Sequence, residues 1–395
     1  MTHPDFRRQG IDTALLRFAL EVLFINGPHS HMTLRDSRHL LHSSVLLILS
    51  FVAGGASTVA IEAVKITPDQ SRFVLHPSGD RYIPWGHNYA SVDIMERLAN
   101  DPARVEREFA EMKAAGTNVA RIHPEMPRIL TGPDKADPKA LEQLRKLLKI
   151  AANSGIHLKI TGLACYKIKD RMAWYDSMEE QDRWKTQAFF WETIGRTCAD
   201  SPAVFAYDLV NEPAAVGKPG DGWYTGRMGD VEFCQRLTLT PGSRSSDDVF
   251  REWTKRMVAA IRKHDQTRLV TMGMLPFPGA YNAAAEQLDF VSPHLYPKTG
   301  KVEDEIKLLK QFAWGKPVVI GETFPLSCGA DVERDFLLKS RDFAHGWIGH
   351  WPDESPTELA RLKKTGKATI QNAIWLSWVE LFQEIGPQMT GKKSR

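Results

Sequence analysis

Uniformly apolar runs alternate along the chain with stretches whose apolar positions recur every three or four residues. The first pattern is clearest in Val204-Phe205-Ala206-Tyr207-Asp208-Leu209-Val210, and it is the pattern of a strand buried on both faces of a sheet. Asn211, Glu212 and Pro213 then break the run, since a proline has no N–H to add to a ladder. Pro317-Val318-Val319-Ile320-Gly321-Glu322 has the same build and also ends in a carboxylate. Strands are expected at 83–88, 118–123, 157–163, 204–211, 268–275, 289–295, 317–322 and 346–351. Helices are expected between them at 102–115, 138–153, 179–198, 247–264, 283–288, 302–313 and 332–343, and then at 357–384 with a break at Gly366.

Local signals agree with these periods. Asp101 caps the first helix and Gly116 ends it, while Leu141, Leu144, Leu147, Leu148 and Ala151 keep helical spacing in the second. Before the repeat, 73–83 reads as a hairpin around a Pro/Ser/Gly/Asp turn. After the fourth strand, 213–246 reads as a long irregular loop, rich in Gly and carrying Trp223 and Tyr224. Eight strands alternating with helices is the count of a (β/α)8 TIM barrel, here with an N-terminal β-hairpin. An open doubly wound sheet would usually carry a Gly-rich phosphate turn after its first strand, and Gly86-His87-Asn88-Tyr89 is not one.

The N-terminal region follows a different pattern. A short amphipathic helix is expected at 12–25. Met32 is followed by Arg35, Arg38, His39 and His42, then by an apolar run at 45–53 and the small residues Gly54-Gly55-Ala56. That is the build of a secretory signal. The run is shorter than the roughly 20 apolar residues of a membrane span, although an uncleaved anchor or a buried helix is the rival reading. Translation is therefore expected to start at Met32, with 1–31 an upstream extension, 32–60 a signal peptide and 66–390 the catalytic domain of a secreted or periplasmic protein with no membrane attachment after cleavage.

Composition narrows the partners. With 43% hydrophobic and 25% charged residues, the chain is an ordinary globular protein. A net charge of +3 without a Lys/Arg block gives no case for nucleic acid. Cys165, Cys198, Cys234 and Cys328 lie far apart without Cys/His clustering, so no metal site and no cofactor is expected.

In a barrel every strand opens its C-terminal end onto one face. There the chain would gather His87 and Asn88, Arg121 and His123, Asn211 and Glu212, His294 and Tyr296, Glu322, and Trp351. Two facing carboxylates, one protonated and one ionised, are what cleavage of a glycosidic bond requires. Asn211-Glu212-Pro213 ending one strand and Glu322 ending a later one resemble the clan A glycoside hydrolases, and most of all family 5, the cellulase family. Trp85-Gly86-His87-Asn88-Tyr89, Asn118-Val119-Ala120-Arg121-Ile122 and His294-Leu295-Tyr296, in that order, carry the resemblance over nearly the whole expected domain.

The resemblance implies a retaining enzyme that cleaves β-linked poly- or oligosaccharide by double displacement. Glu212 would be its acid/base and Glu322 its nucleophile. It further implies that Asn211 holds the sugar's 2-hydroxyl, that Tyr296 bonds the nucleophile, that Arg121 keeps it ionised, and that His294 lies in the substrate site. A strand-eight tryptophan, Trp351 ahead of Trp347 and Trp378, would lie under the sugar. His87, Asn88 and His123 are added as sugar contacts, each with a structural role at the rim as the alternative. Thr161-Gly162-Leu163 departs from the family, many members of which carry a histidine at the end of strand three, and this leaves the substrate open. Glucan is the default, with mannan or exo-acting β-glycosidase activity as alternatives. A metal-dependent hydrolase using His87, His123 and His294 has no HExxH pair behind it. A non-catalytic carbohydrate-binding barrel is the remaining reading. Trp223 and Tyr224 either stack on sugars or pin their loop.

Overall fold

Buried strands with apolar side chains on both faces can only pair side by side under a layer of helices. The computed structural model, which describes residues 61–89, 93–218 and 220–391, has this arrangement. Its barrel strands are Trp85–Tyr89, Val119–Ile122, His157–Thr161, Val204–Asn211, Leu269–Met274, Ser292–Pro293, Val319–Ile320 and Gly346–His350. Adjacent strands pair in parallel in chain order, and the eighth returns to the first through Ile348 opposite Gly86 and His350 opposite Asn88. The sixth and seventh strands are short, since Pro293 cannot donate to a ladder. Bridges from Val291 to Val318 and from His294 to Glu322 join them and close the ring. The expected helix at 12–25 and the expected signal at 32–60 lie outside the described residues. Among those described, no helix is long and apolar enough to cross a membrane.

The helices start where capping residues satisfy their free N–H groups. Asp101 accepts from Arg104 ahead of Pro102–Ala114, and Asp137 accepts from Lys139 ahead of Pro138–Ser154. Ser245 and Asp248 form a reciprocal capping box on Ser246–Arg262. The expected break at Gly366 separates Pro356–Lys364 from Ile370–Thr390, and this glycine takes φ +69°. A helix at Ile94–Asn100, capped by Asp93, was not foreseen.

The hairpin Phe73–His76/Arg81–Tyr82 gains a third strand, Ala63–Ile66, and seals the barrel's N-terminal end. Phe73 meets Phe205 and Phe290 edge-on at 5.4 Å each, within a buried cluster that includes Val64, Tyr82, Val119, Leu269, Val319 and Ile348. With that end closed, the C-terminal mouth is left for chemistry. Segment 213–246 corrects the expectation of an irregular loop. It holds a three-stranded sheet in which Val231–Thr238 lies between Ala214–Val216 and Tyr224–Met228. Gly229 takes φ +58° in the turn between the last two of these, a conformation that costs glycine little.

The floor yields a stability test. Phe73→Ala removes a fully buried ring from this seal, and denaturant unfolding is expected to show a loss of about 3–5 kcal/mol. A loss well under about 1 kcal/mol would mean that the hairpin does not carry the floor.

Candidate active site

The fourth strand brings Asp208, Asn211 and Glu212 up one wall of the barrel. Glu212 leaves the strand at φ +47°, a left-handed conformation unfavourable for a residue with a Cβ. Its N–H donates to the carbonyl of Gly273 on the fifth strand at 3.0 Å, which fixes the exit. Oε1 lies within hydrogen-bond distance of His294 Nδ1, at 2.7 Å. Oε2 has the Cys234 thiol 3.9 Å away, presented by the sheet above the fourth strand.

Glu322 faces it from the end of the seventh strand. Arg121 Nη1 donates to its Oε1, and the Tyr296 hydroxyl donates to Oε2 at 2.5 Å. His294 Nδ1 is 3.5 Å and His350 Nε2 3.6 Å from its carboxylate. Burial pushes the Glu322 pKa up, but His294, Arg121 and His350 together with the Tyr296 hydrogen bond outweigh it. The carboxyl is held well below the ordinary carboxylate range. His350 moves the other way, lowered to about 4 chiefly by burial, so its imidazole is neutral at neutral pH.

Arg121 links the two glutamate walls. It is fully buried, and its Nε donates to Asp208 Oδ2 and its Nη2 to Asn211 Oδ1, both at 2.8 Å. The Asn211 amide group donates in turn to the carbonyl of Phe233 at 3.2 Å. Gly273 leaves the space these groups need. A Cβ there would lie 2.8 Å from His294 Nε2 and 3.1 Å from Arg121 Nη2. Among the described residues, Glu212, His294 and Glu322 are the one group whose metal-ligand atoms converge, within 4.8 Å of one another. The guanidinium on Glu322 opposes a cation at that point.

Arg121, Asn211, Glu212, His294, Tyr296 and Glu322 thus come together as expected. Asn88 and His123 adjoin them: Asn88 Oδ1 is 3.2 Å from His123 Nε2, and His123 Nδ1 is 2.5 Å from the Tyr166 hydroxyl. Burial, and then Arg121, depress the His123 pKa strongly.

His87 departs from the expectation that it lines the mouth. Side chains alternate along a strand, and with Asn88 inward His87 faces the helix layer. It bonds Thr117 at 2.8 Å and packs against Trp351 and Phe382. Of the three tryptophans weighed, Trp347 donates to Ser340 and Trp378 to the carbonyl of His350. Both lie under the helices, and Trp351 is as fully buried as they are. Its ring meets His87 edge-on at 4.9 Å, and its main-chain N–H donates to the carbonyl of Asn88.

Trp223 and Tyr224 pin their segment. Trp223 donates to the carbonyl of Asp176, and the fully buried Arg183 lies over the rings of Tyr175, Trp223 and Tyr224. His350, Tyr166, Lys159, Asp208 and Cys234 are site residues that sequence reasoning missed. The signal for two of them was a charge inside a run expected to be buried on both faces. All four cysteines are unpaired.

A family model described as "Cellulase (glycosyl hydrolase family 5)" matches residues 85–323, more than half of the chain, from the first barrel strand to just past Glu322. No curated protein sequence matches. Among solved structures, the chain is similar to an exo-beta-1,4-mannosidase from Opitutaceae bacterium strain TAV5, with 17% identity and a TM-score of 0.63 over 83% of this chain and 63% of that one. It is also similar to a family 5 mannosidase from Rhizomucor miehei, with 12% identity and a TM-score of 0.53 over 83% and 100% of the two chains. A beta-1,4-mannanase from the sea hare Aplysia kurodai aligns with 17% identity and a TM-score of 0.50 over 82% and 96%. At such identities the likeness is one of fold, but the family model covers the strands that carry both glutamates. The chain belongs to glycosyl hydrolase family 5.

Proposed function

We propose that the enzyme is a retaining β-glycosidase, with Glu322 as nucleophile and Glu212 as acid/base. One observation carries this reading: an oxygen of each carboxylate lies within 4.8 Å of the other. Retaining enzymes need about 5–5.5 Å, whereas inverting enzymes need roughly 6.5–9.5 Å to admit a water. In the first step Glu322 attacks the anomeric carbon while Glu212 gives its proton to the departing oxygen. In the second, Glu212 takes a proton from water, which displaces Glu322. Arg121 and Tyr296 keep the nucleophile ionised and oriented, and His294 lies on the proton's side, against Glu212.

Exo action on a chain end is the finer reading. Both glutamates are less than a tenth exposed, beneath the sheet that carries Phe233 and Cys234. A groove open at both ends would leave them more accessible. The default of β-glucan gives way to β-mannosides as the first substrates to try, because the similar folds are named as mannosidases and a mannanase. Export after cleavage of residues 32–60 belongs to the same proposal, and N-terminal sequencing of the natural protein tests it.

Three outcomes are expected. Glu322→Gln should lower turnover of aryl β-mannosides and β-glucosides about 10⁴-fold or more while the fold survives; full activity would refute the nucleophile. The first-formed sugar should appear by NMR as the β anomer, and an α anomer would mean inversion. Tyr296→Phe removes a hydrogen bond made to the charged form of Glu322, so kcat should fall about 10–100-fold. The Glu322 pKa should rise in that variant, moving the acid limb of the pH–rate profile to higher pH. A limb that stays in place would remove Tyr296 from this role.

A further inference from the structure

Below the two glutamates the barrel holds a second pair of opposite charges, which the proposed reaction leaves unused. Lys159 on the third strand and Asp208 on the fourth are both fully buried. Lys159 Nζ lies 3.3 Å from Asp208 Oδ2 and donates to Ser292 Oγ at 2.6 Å. Asp208 also accepts from Thr161 Oγ1 and Arg121 Nε at 2.8 Å each, and from the Gly273 N–H at 2.7 Å. A buried ion pair is an expensive way to fill a barrel, and well-packed apolar residues are often more stable. Without Lys159, two carboxylates, Asp208 and Glu322, would draw on the one guanidinium of Arg121.

We infer that Lys159 and Asp208 are positioning residues for the nucleophile. Asp208 fixes the plane of the Arg121 guanidinium, so that Nη1 meets Glu322 and Nη2 meets Asn211. Lys159 neutralises Asp208 from below and leaves the Arg121 charge to Glu322. The electrostatics agree. Burial raises the Asp208 pKa, but Lys159 and then Arg121 outweigh it and hold the group well below the carboxylate range. Burial lowers Lys159 to about 8 against the pull of Asp208. The groups facing Glu322 are Arg121 and His123 from the second strand, Tyr166 beyond the third, and Glu212 from the fourth. His294 and Tyr296 from the sixth, His350 from the eighth, Cys234 from the overlying sheet and Lys159 from the third strand complete its surroundings. Asp208 faces Lys159, Arg121, His294 and His123. The substitutions below leave all of these groups other than Lys159 and Asp208 in place.

Removing Lys159 subtracts a positive charge, so the Glu322 pKa must rise; removing Asp208 subtracts a negative one, so it must fall. Removing both cancels. The inference rests on Glu322 as nucleophile but concerns its ionisation, which is measurable without turnover. In the full chain with isotope-labelled glutamate carboxyls, the Glu322 NMR signal, assigned by its loss in Glu322→Gln, is followed from neutral pH towards acid unfolding. Lys159→Met should protonate Glu322 about one pH unit or more above the wild type, and the double variant Lys159→Met/Asp208→Asn should return to wild-type behaviour. A folded Lys159→Met with Glu322 unchanged, or a double variant that behaves like the single one, would overturn the inference. If Lys159→Met does not fold, the double variant decides. Folded with Glu322 ionised as in the wild type, it upholds the inference; unfolded, or with early protonation, it overturns it. A parallel assay of the wild type on a dinitrophenyl β-glycoside keeps the two readings separate, since absence of turnover there would count against the glycosidase and not against the titration.

Discussion

The site depends on one buried cation. Arg121 is fully enclosed, and its three nitrogens go to Asp208, Asn211 and Glu322, which come from two strands on different sides of the barrel. An isolated charge in such a place would be prohibitively costly. Arg121 is stable there because each of its three nitrogens has an acceptor, two of these acceptors being ionised. The same geometry sets the relation between the glutamates. The guanidinium holds Glu322 directly and reaches Glu212 through its neighbour Asn211, so that the spacing of the carboxylates follows from the shape of a planar fork. Breaking such a buried pair from one side costs about 3–5 kcal/mol, so the constellation should hold its shape before substrate arrives.

Preorganisation extends outward in layers. The Phe73 floor closes the lower end, and above it Lys159 and Asp208 set the charge under Arg121. The upper layer carries the two glutamates, each with its own partner: an imidazole on Glu212 and a phenol on Glu322. These partners point the two carboxyls to different tasks. Donors outweigh the neighbouring Glu212 carboxylate around Glu322, which stays ionised. Glu212 is hydrogen-bonded to the His294 imidazole and sits at a strained φ held by Gly273. Strain of this kind, worth about 1–3 kcal/mol, persists where surrounding structure over-determines it.

Much of this was legible in the sequence. Strands buried on both faces leave long apolar runs, which is why all eight were visible together with the glutamates at two of their ends. Other features were hidden for physical reasons. Whether His87 or Asn88 faces inward turns on a single residue of register, and a run buried on both faces gives no polar side to read. His350 stood beside Trp351, and the aromatic residue drew attention although strand alternation puts the histidine over Glu322. Lys159 and Asp208 were charges within apolar runs, a signal of an internal ion pair that periodicity alone cannot interpret. The sheet at 214–238 was obscured by its glycines, one of which, Gly229, takes the positive φ of its turn.

The central claim is that a sugar becomes covalently attached to Glu322 during the reaction. The most direct test is to incubate the enzyme with a 2-fluoro-substituted aryl β-glycoside, whose glycosyl-enzyme breaks down slowly, and to map the modified peptide by mass spectrometry. The account predicts a single added glycosyl group on the peptide that carries Glu322, absent from Glu322→Gln. A glycosyl group on any other residue, or turnover of the unsubstituted glycoside with inversion, would contradict it.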